Sequence, residues 1–257
     1  MNKQIASTVL MIEPVAFGFN AETAKNNYFQ INDNSNASLV QENALKEFGN
    51  MVTKLRLAGI EVIVVKDTLE PTTPDSIFPN NWISIHENGN IVLYPMYAKN
   101  RSAERRKDIV ELLSKKFTEI PRIVDYSAFE DRKCYLEGTG SMILDRQNKI
   151  AYAAISERTD KQLFIQFCND FEFKPVYFTA NQDVNQKRLP IYHTNVMLCV
   201  ADKYAVICLS SIDDLKERKE VEKTLIASGK EIIEINENQM HDFAGNMLQL
   251  ENGDGKP

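Results

Sequence analysis

The sequence predicts an α/β protein assembled from one recurring unit, and three observations support this. An apolar strand, polar turn, apolar strand, helix and apolar strand follow in that order three times, with hairpins opening near positions 82, 141 and 196. A fragment of the same unit stands at each end of the chain. Similar polar residues fall at the same point of each unit.

Residues 8–12 read as a return strand, followed by a helix over 38–57 and a strand over 61–65; residues 32–38 read as a polar loop. The first complete unit pairs 82–85 with 91–94 across the turn Glu87-Asn88-Gly89-Asn90. Ile109, Leu112, Leu113 and Phe117 carry helical spacing, which predicts a helix over 101–117 before a strand at 120–124. The second unit has strands at 142–144 and 150–153, a helix over 159–171 and a strand at 175–178. The third has strands at 197–200 and 204–209, a helix over 213–227 and a strand at 231–235. A fourth hairpin opens at Asn246 with a strand at 247–250 and the turn Glu251-Asn252-Gly253-Asp254-Gly255-Lys256. The expectation is that the last repeat stops in mid-hairpin. The full array would be a ring of about five units, solenoid- or propeller-like, closed by a further C-terminal strand. Unpaired edges are then expected at 8–12 and 247–250. No linker or composition break interrupts residues 1–257, so a single domain is expected.

Composition excludes several function classes. With 30 basic against 36 acidic residues, net charge −6, no bulk basic surface for nucleic acid is expected. The run Arg101, Arg105, Arg106, Lys107 reads as a solvated helix face. No apolar stretch reaches the roughly 20 residues of a membrane helix, and the N-terminus reads as a strand rather than a signal peptide. Cys134, Cys168, Cys199 and Cys208 form no CxxC pair, and all but Cys134 sit in apolar or aromatic runs. Reduced thiols in a cytoplasmic protein are expected. The sequence leaves a homo-oligomer open.

The polar residues lie just before the first strand of each unit: Asp75, Asn80 and Asn81; Glu137-Gly138-Thr139-Gly140-Ser141; His193-Thr194-Asn195; and His241-Asp242 with Asn246. In a ring of repeats, equivalent positions lie at equivalent radii, so these groups are expected to converge on one axial pocket. Arg101 and Arg158 follow the hairpins in register and suit the carboxylate of an amino-acid substrate. A carboxylate with amides suits a planar ureido or guanidino head. His193 suits general acid/base work. His86, at a strand end, is expected to be exposed. A zinc site from His193, His241 and Asp242 is a weaker reading, because no metal-ligand spacing recurs.

The four segments, from Asp75-Ser76-Ile77-Phe78-Pro79-Asn80-Asn81-Trp82 through Leu136-Glu137-Gly138-Thr139-Gly140-Ser141 and Ile191-Tyr192-His193-Thr194-Asn195-Val196 to His241-Asp242-Phe243-Ala244-Gly245-Asn246, resemble the guanidine-modifying (pentein, amidinotransferase-like) superfamily, above all its citrulline hydrolases. The resemblance covers essentially the whole chain. It implies a five-fold α/β propeller of ββαβ units and a thiolate nucleophile, with no metal or organic cofactor. It implies that Glu137 holds the substrate head, that His193 shuttles protons, and that Asp75 binds substrate. Arg158 lies in a segment like the Ser-Lys-Arg-Thr motif of dimethylarginine hydrolases, whose arginine binds the substrate carboxylate; Arg101 is a weaker match of that kind.

Two departures refine this. Deiminases acting on cationic guanidines use aspartates where this chain has Asn81 and Asn195. A buried cation wants carboxylates, whereas amides suit a neutral ureido group, so citrulline is the expected substrate, with ornithine, carbon dioxide and ammonia as products. The family's nucleophilic cysteine lies near its C-terminus, and the register places it about fifty residues beyond Asn246. Cys134, three residues before Glu137, is a poor substitute. An arginine-type deiminase or amidinotransferase is the alternative enzyme. A non-catalytic propeller-fold binding module is the alternative of another class.

Overall fold

The computed structural model describes residues 3–32, 36–116 and 122–255. The chain divides into two compact units, Ile5–Tyr126 with Leu250–Pro257, and Ser127–Gln249 with Met1–Gln4.

In the first unit, β1 (Thr8–Glu13), α1 (Ala37–Leu57) and β2 (Glu61–Lys66) form a helix-bridged parallel pair, Thr8 opposite Glu61 and Glu13 opposite Lys66. The Asn36 side chain accepts the Ser38 N–H at 2.9 Å and starts α1. Gly59, at φ +85°, takes the left-handed turn that ends it. Val52 of α1 packs on Ile60 and Val62. Next come β3 (Ile83–Ile85), β4 (Ile91–Leu93), α2 (Lys99–Ser102), α3 (Lys107–Ser114) and β5 (Ile123–Asp125). β4 is central, antiparallel to β3 and parallel to β5. Trp82, Ile83, Ile91, Met96, Ile109 and Leu113 form the core over which this sheet packs, together with Ile12.

The second unit repeats that order twice. α4 (Gly138–Ser141) leads into β6 (Ile143–Asp145), β7 (Ile150–Ala154), α5 (Lys161–Phe171) and β8 (Lys174–Phe178), with β7 antiparallel to β6 and parallel to β8. After a hairpin, β9 (Asn181–Val184) and β10 (Lys187–Pro190), come β11 (Leu198–Val200), β12 (Tyr204–Ile207), α6 (Leu215–Ala227) and β13 (Glu231–Glu234), followed by α7 (Glu237–His241). β12 is again central. The central strand β7 is buried throughout, and its alanines leave room for neighbours on both faces. Asp160 caps α5 by accepting the Leu163 N–H at 2.8 Å, and Asp214 caps α6 by accepting the Lys216 N–H at 2.7 Å. The ββαβ unit read from periodicity is therefore present three times, and the β1–α1–β2 fragment is present as expected.

Four expectations need correction. The helix expected over 101–117 is two helices, because Glu104 turns back to the Arg101 guanidinium and Arg106 is extended at the start of α3. Phe117 and the expected strand start at Ile120 fall outside the described residues, as do residues 33–35 of the polar loop and Lys256 of the last turn. His86 is buried, with Nε2 3.2 Å from the Ser84 hydroxyl, which in turn meets the Tyr94 hydroxyl at 2.7 Å. The β9–β10 hairpin was not foreseen, since its strands lack apolar alternation; Asn185 and Gln186, at φ +50° and +64°, form the left-handed two-residue turn. Residues 247–250 do not form the first strand of a hairpin. Met247 and Leu248 are exposed, and Leu250 makes a parallel bridge to Ala6 and packs beside Val52, Ile60 and Val62. The Glu251 N–H then donates to Ala6 O at 2.9 Å and the Gly253 N–H to Gly59 O at 3.1 Å.

Candidate active site

Some of the sequence-predicted residues form a buried cluster within each unit: Glu137, Arg158 and His193 in one, Asp75, Asn81 and Arg101 in the other. In the second unit, Glu137 precedes α4 and is fully buried. Its Oε2 lies 2.6 Å from His193 Nε2 and 3.5 Å from Arg158 NH1. An ionised carboxylate can only accept, so Nε2 carries the hydrogen in that state and Nδ1 holds the lone pair. The Arg158 guanidinium lies 4.7 Å over the Tyr192 ring, and Tyr192 also tilts against the His193 ring at 4.7 Å. The cation is thereby desolvated between a carboxylate and an aromatic face.

Three hydroxyls, those of Ser141 and Thr194 buried and that of Ser156 half-buried, tie the segments that carry these groups. Ser141 Oγ accepts the Glu137 N–H at 2.8 Å and donates to Arg158 O at 2.6 Å. Thr194 Oγ1 accepts the Ala154 N–H at 2.8 Å and donates to Ser141 O. Ser156 Oγ accepts the Arg158 N–H at 3.1 Å and donates to Tyr192 O at 2.8 Å. Gly138, at φ +46°, supplies the left-handed turn after Glu137. The rigid part of the site is thus specified by small residues that the motif reading quoted without assigning roles.

Asn195 is half-buried beside this cluster in sequence, while His241, Asp242 and Asn246 are exposed. Gly245 fixes the approach of that last segment. A Cβ there would meet Val196 O at 2.6 Å and Met197 C at 3.0 Å, so only glycine lets the two backbones lie so close. Among the described residues, no group of three His, Cys, Asp or Glu side chains is arranged to hold a metal ion.

In the first unit, Asp75 Oδ2 accepts Asn20 Nδ2–H at 2.7 Å and the Thr23 hydroxyl at 3.3 Å, and lies 3.9 Å from Arg101 Nε. Asn20 also exchanges amide hydrogen bonds with Asn100, at 2.8 and 3.3 Å. Arg101, expected to clasp a substrate carboxylate, instead forks onto Glu104 through Nε and NH2 at 2.8 and 2.9 Å. Its NH1 donates to Asn81 Oδ1 at 2.7 Å, and NH2 reaches the carbonyls of Asp75 and Phe78 at 3.4 and 3.3 Å. Asn80 is half-buried. Sequence reasoning missed Asn20, Thr23, Asn100 and Glu104. The first two lie in the loop between β1 and α1, which has no counterpart in another repeat, so register could not single them out. The density of polar residues in Asn20-Ala21-Glu22-Thr23 was the only signal.

Two of the four thiols are disfavoured as thiolates by burial. Burial pushes the Cys168 thiol up to about 12 and raises that of Cys199. Cys208 Sγ accepts the Ser211 hydroxyl at 3.2 Å, and Cys134 Sγ faces Arg132 O at 3.6 Å.

Comparison with known proteins agrees with this geometry. Residues 13–257 match the family described as N,N dimethylarginine dimethylhydrolase, eukaryotic. No curated protein sequence matches. Among solved structures, the substrate-bound N-terminal domain of ArgZ, an arginine dihydrolase from the ornithine–ammonia cycle in cyanobacteria, is 17% identical with a TM-score of 0.71, covering 93% of this chain and 79% of that one. AgrE in ternary complex with ornithine and NAD+ has the same identity and TM-score, but the alignment spans only 32% of its length. A dimethylarginine dimethylaminohydrolase adduct with 4-chloro-2-hydroxymethylpyridine is 12% identical with a TM-score of 0.59, covering 92% of this chain and 78% of that one. At these identities the structural likeness is one of fold. The family match, over nearly the whole sequence, together with the Glu137–His193–Arg158 cluster, means that this chain belongs to the N,N dimethylarginine dimethylhydrolase family, within the guanidine-modifying (pentein) superfamily of enzymes.

Proposed function

We propose that the protein hydrolyses a linear C–N bond of a ureido or guanidino amino acid, with citrulline as the preferred substrate. The observation that carries this reading is the buried 2.6 Å contact of His193 with Glu137, with the Arg158 cation beside the same oxygen. Glu137 holds the substrate head and orients the imidazole, and His193 moves protons through Nδ1. Arg158, Asp75, Asn80, Asn195 and Asn246 are assigned to substrate binding, on the strength of their place in the motifs. The three ββαβ units support a five-fold α/β propeller, and the four free cysteines support a cytoplasmic location. Among the described residues, no helix is long and apolar enough to cross a membrane.

In the proposed chemistry His193 Nδ1 takes the proton of a cysteine thiol, and the thiolate attacks the ureido carbon. The C–NH2 bond breaks, His193 supplies the proton, and ammonia leaves an S-carbamoyl intermediate. Water, deprotonated by His193, then displaces the thiol, and the resulting carbamate loses carbon dioxide to give ornithine. Burial disfavours the thiolates of Cys168 and Cys199, and neither Cys134 nor Cys208 stands at the motif position of the nucleophile. As the motif resemblance implies, the nucleophile is assigned to a cysteine at the in-register position about fifty residues past Asn246.

Asn81 supports the ureido head: it is a neutral amide where deiminases acting on cationic guanidines carry an aspartate, and its Oδ1 accepts the Arg101 NH1 hydrogen at 2.7 Å. The family description and the name of ArgZ favour a second reading, hydrolysis of dimethylarginine or arginine. Ammonia release from citrulline should exceed both dimethylamine release from dimethylarginine and citrulline release from arginine; the reverse order selects the second reading. Turnover by residues 1–257 alone would overturn the placement of the nucleophile.

A further inference from the structure

We infer that Tyr192 is a positioning residue, whose ring holds the Arg158 guanidinium off Glu137 and so keeps Glu137 Oε2 for His193. This deepens the reading above, on which the Glu137–His193 pair moves protons, and it rests on that reading for its link to the reaction.

Arg101 and Arg158 are both buried beside a buried carboxylate, and they pair with it differently. Arg101 forks onto Glu104 at 2.8 and 2.9 Å. A planar guanidinium prefers that two-point pairing with a carboxylate. Arg158 NH1 stops 3.5 Å from Glu137 Oε2. Backbone spacing does not cause the gap. The Glu137 N–H donates to Arg158 O at 3.3 Å, so the two residues adjoin, and a long side chain has ample reach. What differs is the aromatic face: the Arg158 guanidinium carbon lies 4.7 Å over the centre of the Tyr192 ring.

The ring itself is tethered to the arginine. Ser156 Oγ donates to Tyr192 O at 2.8 Å and accepts the Arg158 N–H at 3.1 Å, so one hydroxyl sets the two backbones against each other. The same ring lies 4.7 Å from the His193 ring, tilted by 41°. Tyr192 thus touches both groups that compete for one oxygen, and the imidazole takes it at 2.6 Å. A guanidinium is a permanent cation rich in donors, and in a fork it would engage both Glu137 oxygens at the expense of the ring N–H. Stacked on the aromatic face, it leaves the short contact to His193.

The test is an NMR pH titration of the His193 ring in the full-length protein, with Glu137 and Arg158 as the charged groups beside it. Tyr192→Leu removes the aromatic face and lets Arg158 close on Glu137. The His193 midpoint should then fall by about one pH unit, because the imidazolium loses its carboxylate. Tyr192→Met should act in the same way, and stands in if the leucine variant fails to fold. Tyr192→Phe keeps the ring and should keep the midpoint. In an Arg158→Met background no cation is left to close on Glu137, so adding Tyr192→Leu should leave the midpoint where Arg158→Met alone puts it. The inference falls if the folded Leu or Met variant keeps the original midpoint, if Phe lowers it as far as Leu does, or if the shift persists without Arg158. If the titrations follow the expected pattern while the unsubstituted protein releases no ammonia from citrulline, the proposed reaction fails and the positioning role stands.

Discussion

The two buried ionic clusters use similar residues in opposite ways. Around Glu137, one carboxylate oxygen is shared by an imidazole and a guanidinium, and the arginine faces an aromatic ring. Around Arg101, the guanidinium is matched donor by donor, to a carboxylate, an amide and two carbonyls. The first arrangement leaves a titratable ring poised to change its proton. The second removes freedom and leaves an oriented amide. The contrast is between a carboxylate oxygen shared by an imidazole and a guanidinium, which suits proton movement, and a guanidinium forked onto a carboxylate, which suits orientation.

The largest test of this contrast is loss of the shared oxygen. Glu137→Gln and His193→Ala should each lower kcat for ammonia release from citrulline by roughly 10²–10⁴ in the full-length protein while the fold is retained. A fall of less than tenfold with either change would place the proton transfer elsewhere. The Arg101 cluster should behave as a structural pair instead. Arg101→Met alone strands Glu104 and should cost about 3–5 kcal/mol in urea denaturation, whereas the double change with Glu104→Met should recover most of it. If the single and double changes cost the same, the fork is not what holds that loop. A smaller effect is expected where a neutral hydroxyl carries the geometry. Ser141→Ala removes two hydrogen bonds made at 2.8 and 2.6 Å, and should cost about 1–3 kcal/mol. It should also lower kcat more than it raises KM, since it loosens Glu137 rather than a substrate contact. A stability loss with unchanged kcat would refute the link from Ser141 to Glu137.

Sequence alone reached the repeated unit because each ββαβ copy pairs a continuous apolar return strand with a periodic helix, as β7 and α5 do. It also found both ends of the Glu137–His193 pair, since both precede a hairpin in register. It failed where long-range forces act. Nothing local announces that Leu250 will leave its hairpin pattern for Val52, Ile60 and Val62. Nothing local announces that Glu104 will fold back onto Arg101 and split a periodic helix. The buried state of His86 depends on Ser84 and Tyr94, the latter on the neighbouring strand segment. Asn20 becomes part of the site only because its loop carries it to Asp75, 55 positions later in the sequence.

The exposed cluster around Arg188 provides the counterpart to both buried ones. Arg188 joins the β9–β10 hairpin to Asp213 at 2.7 Å and to Glu237 at 2.6 Å. The Arg188 hydrogen bond holds the Asp213 carboxyl below the usual carboxylate range, aided by Asn181. A depressed folded value means that the unfolded chain binds the proton more readily. The contribution is therefore present above the ordinary value and is lost as pH falls through the folded one. About half of the Asp213 side chain is exposed, so solvent screening limits this to a few tenths of a kcal/mol. Denaturation of Asp213→Asn against the unsubstituted chain should show a small deficit at neutral pH that closes as pH falls below the ordinary carboxylate range and shrinks with added salt. A deficit as large as that of Arg101→Met would mean that exposure does not separate this cluster from the buried ones, and the contrast between reactive and orienting charge would have to rest on partner number alone.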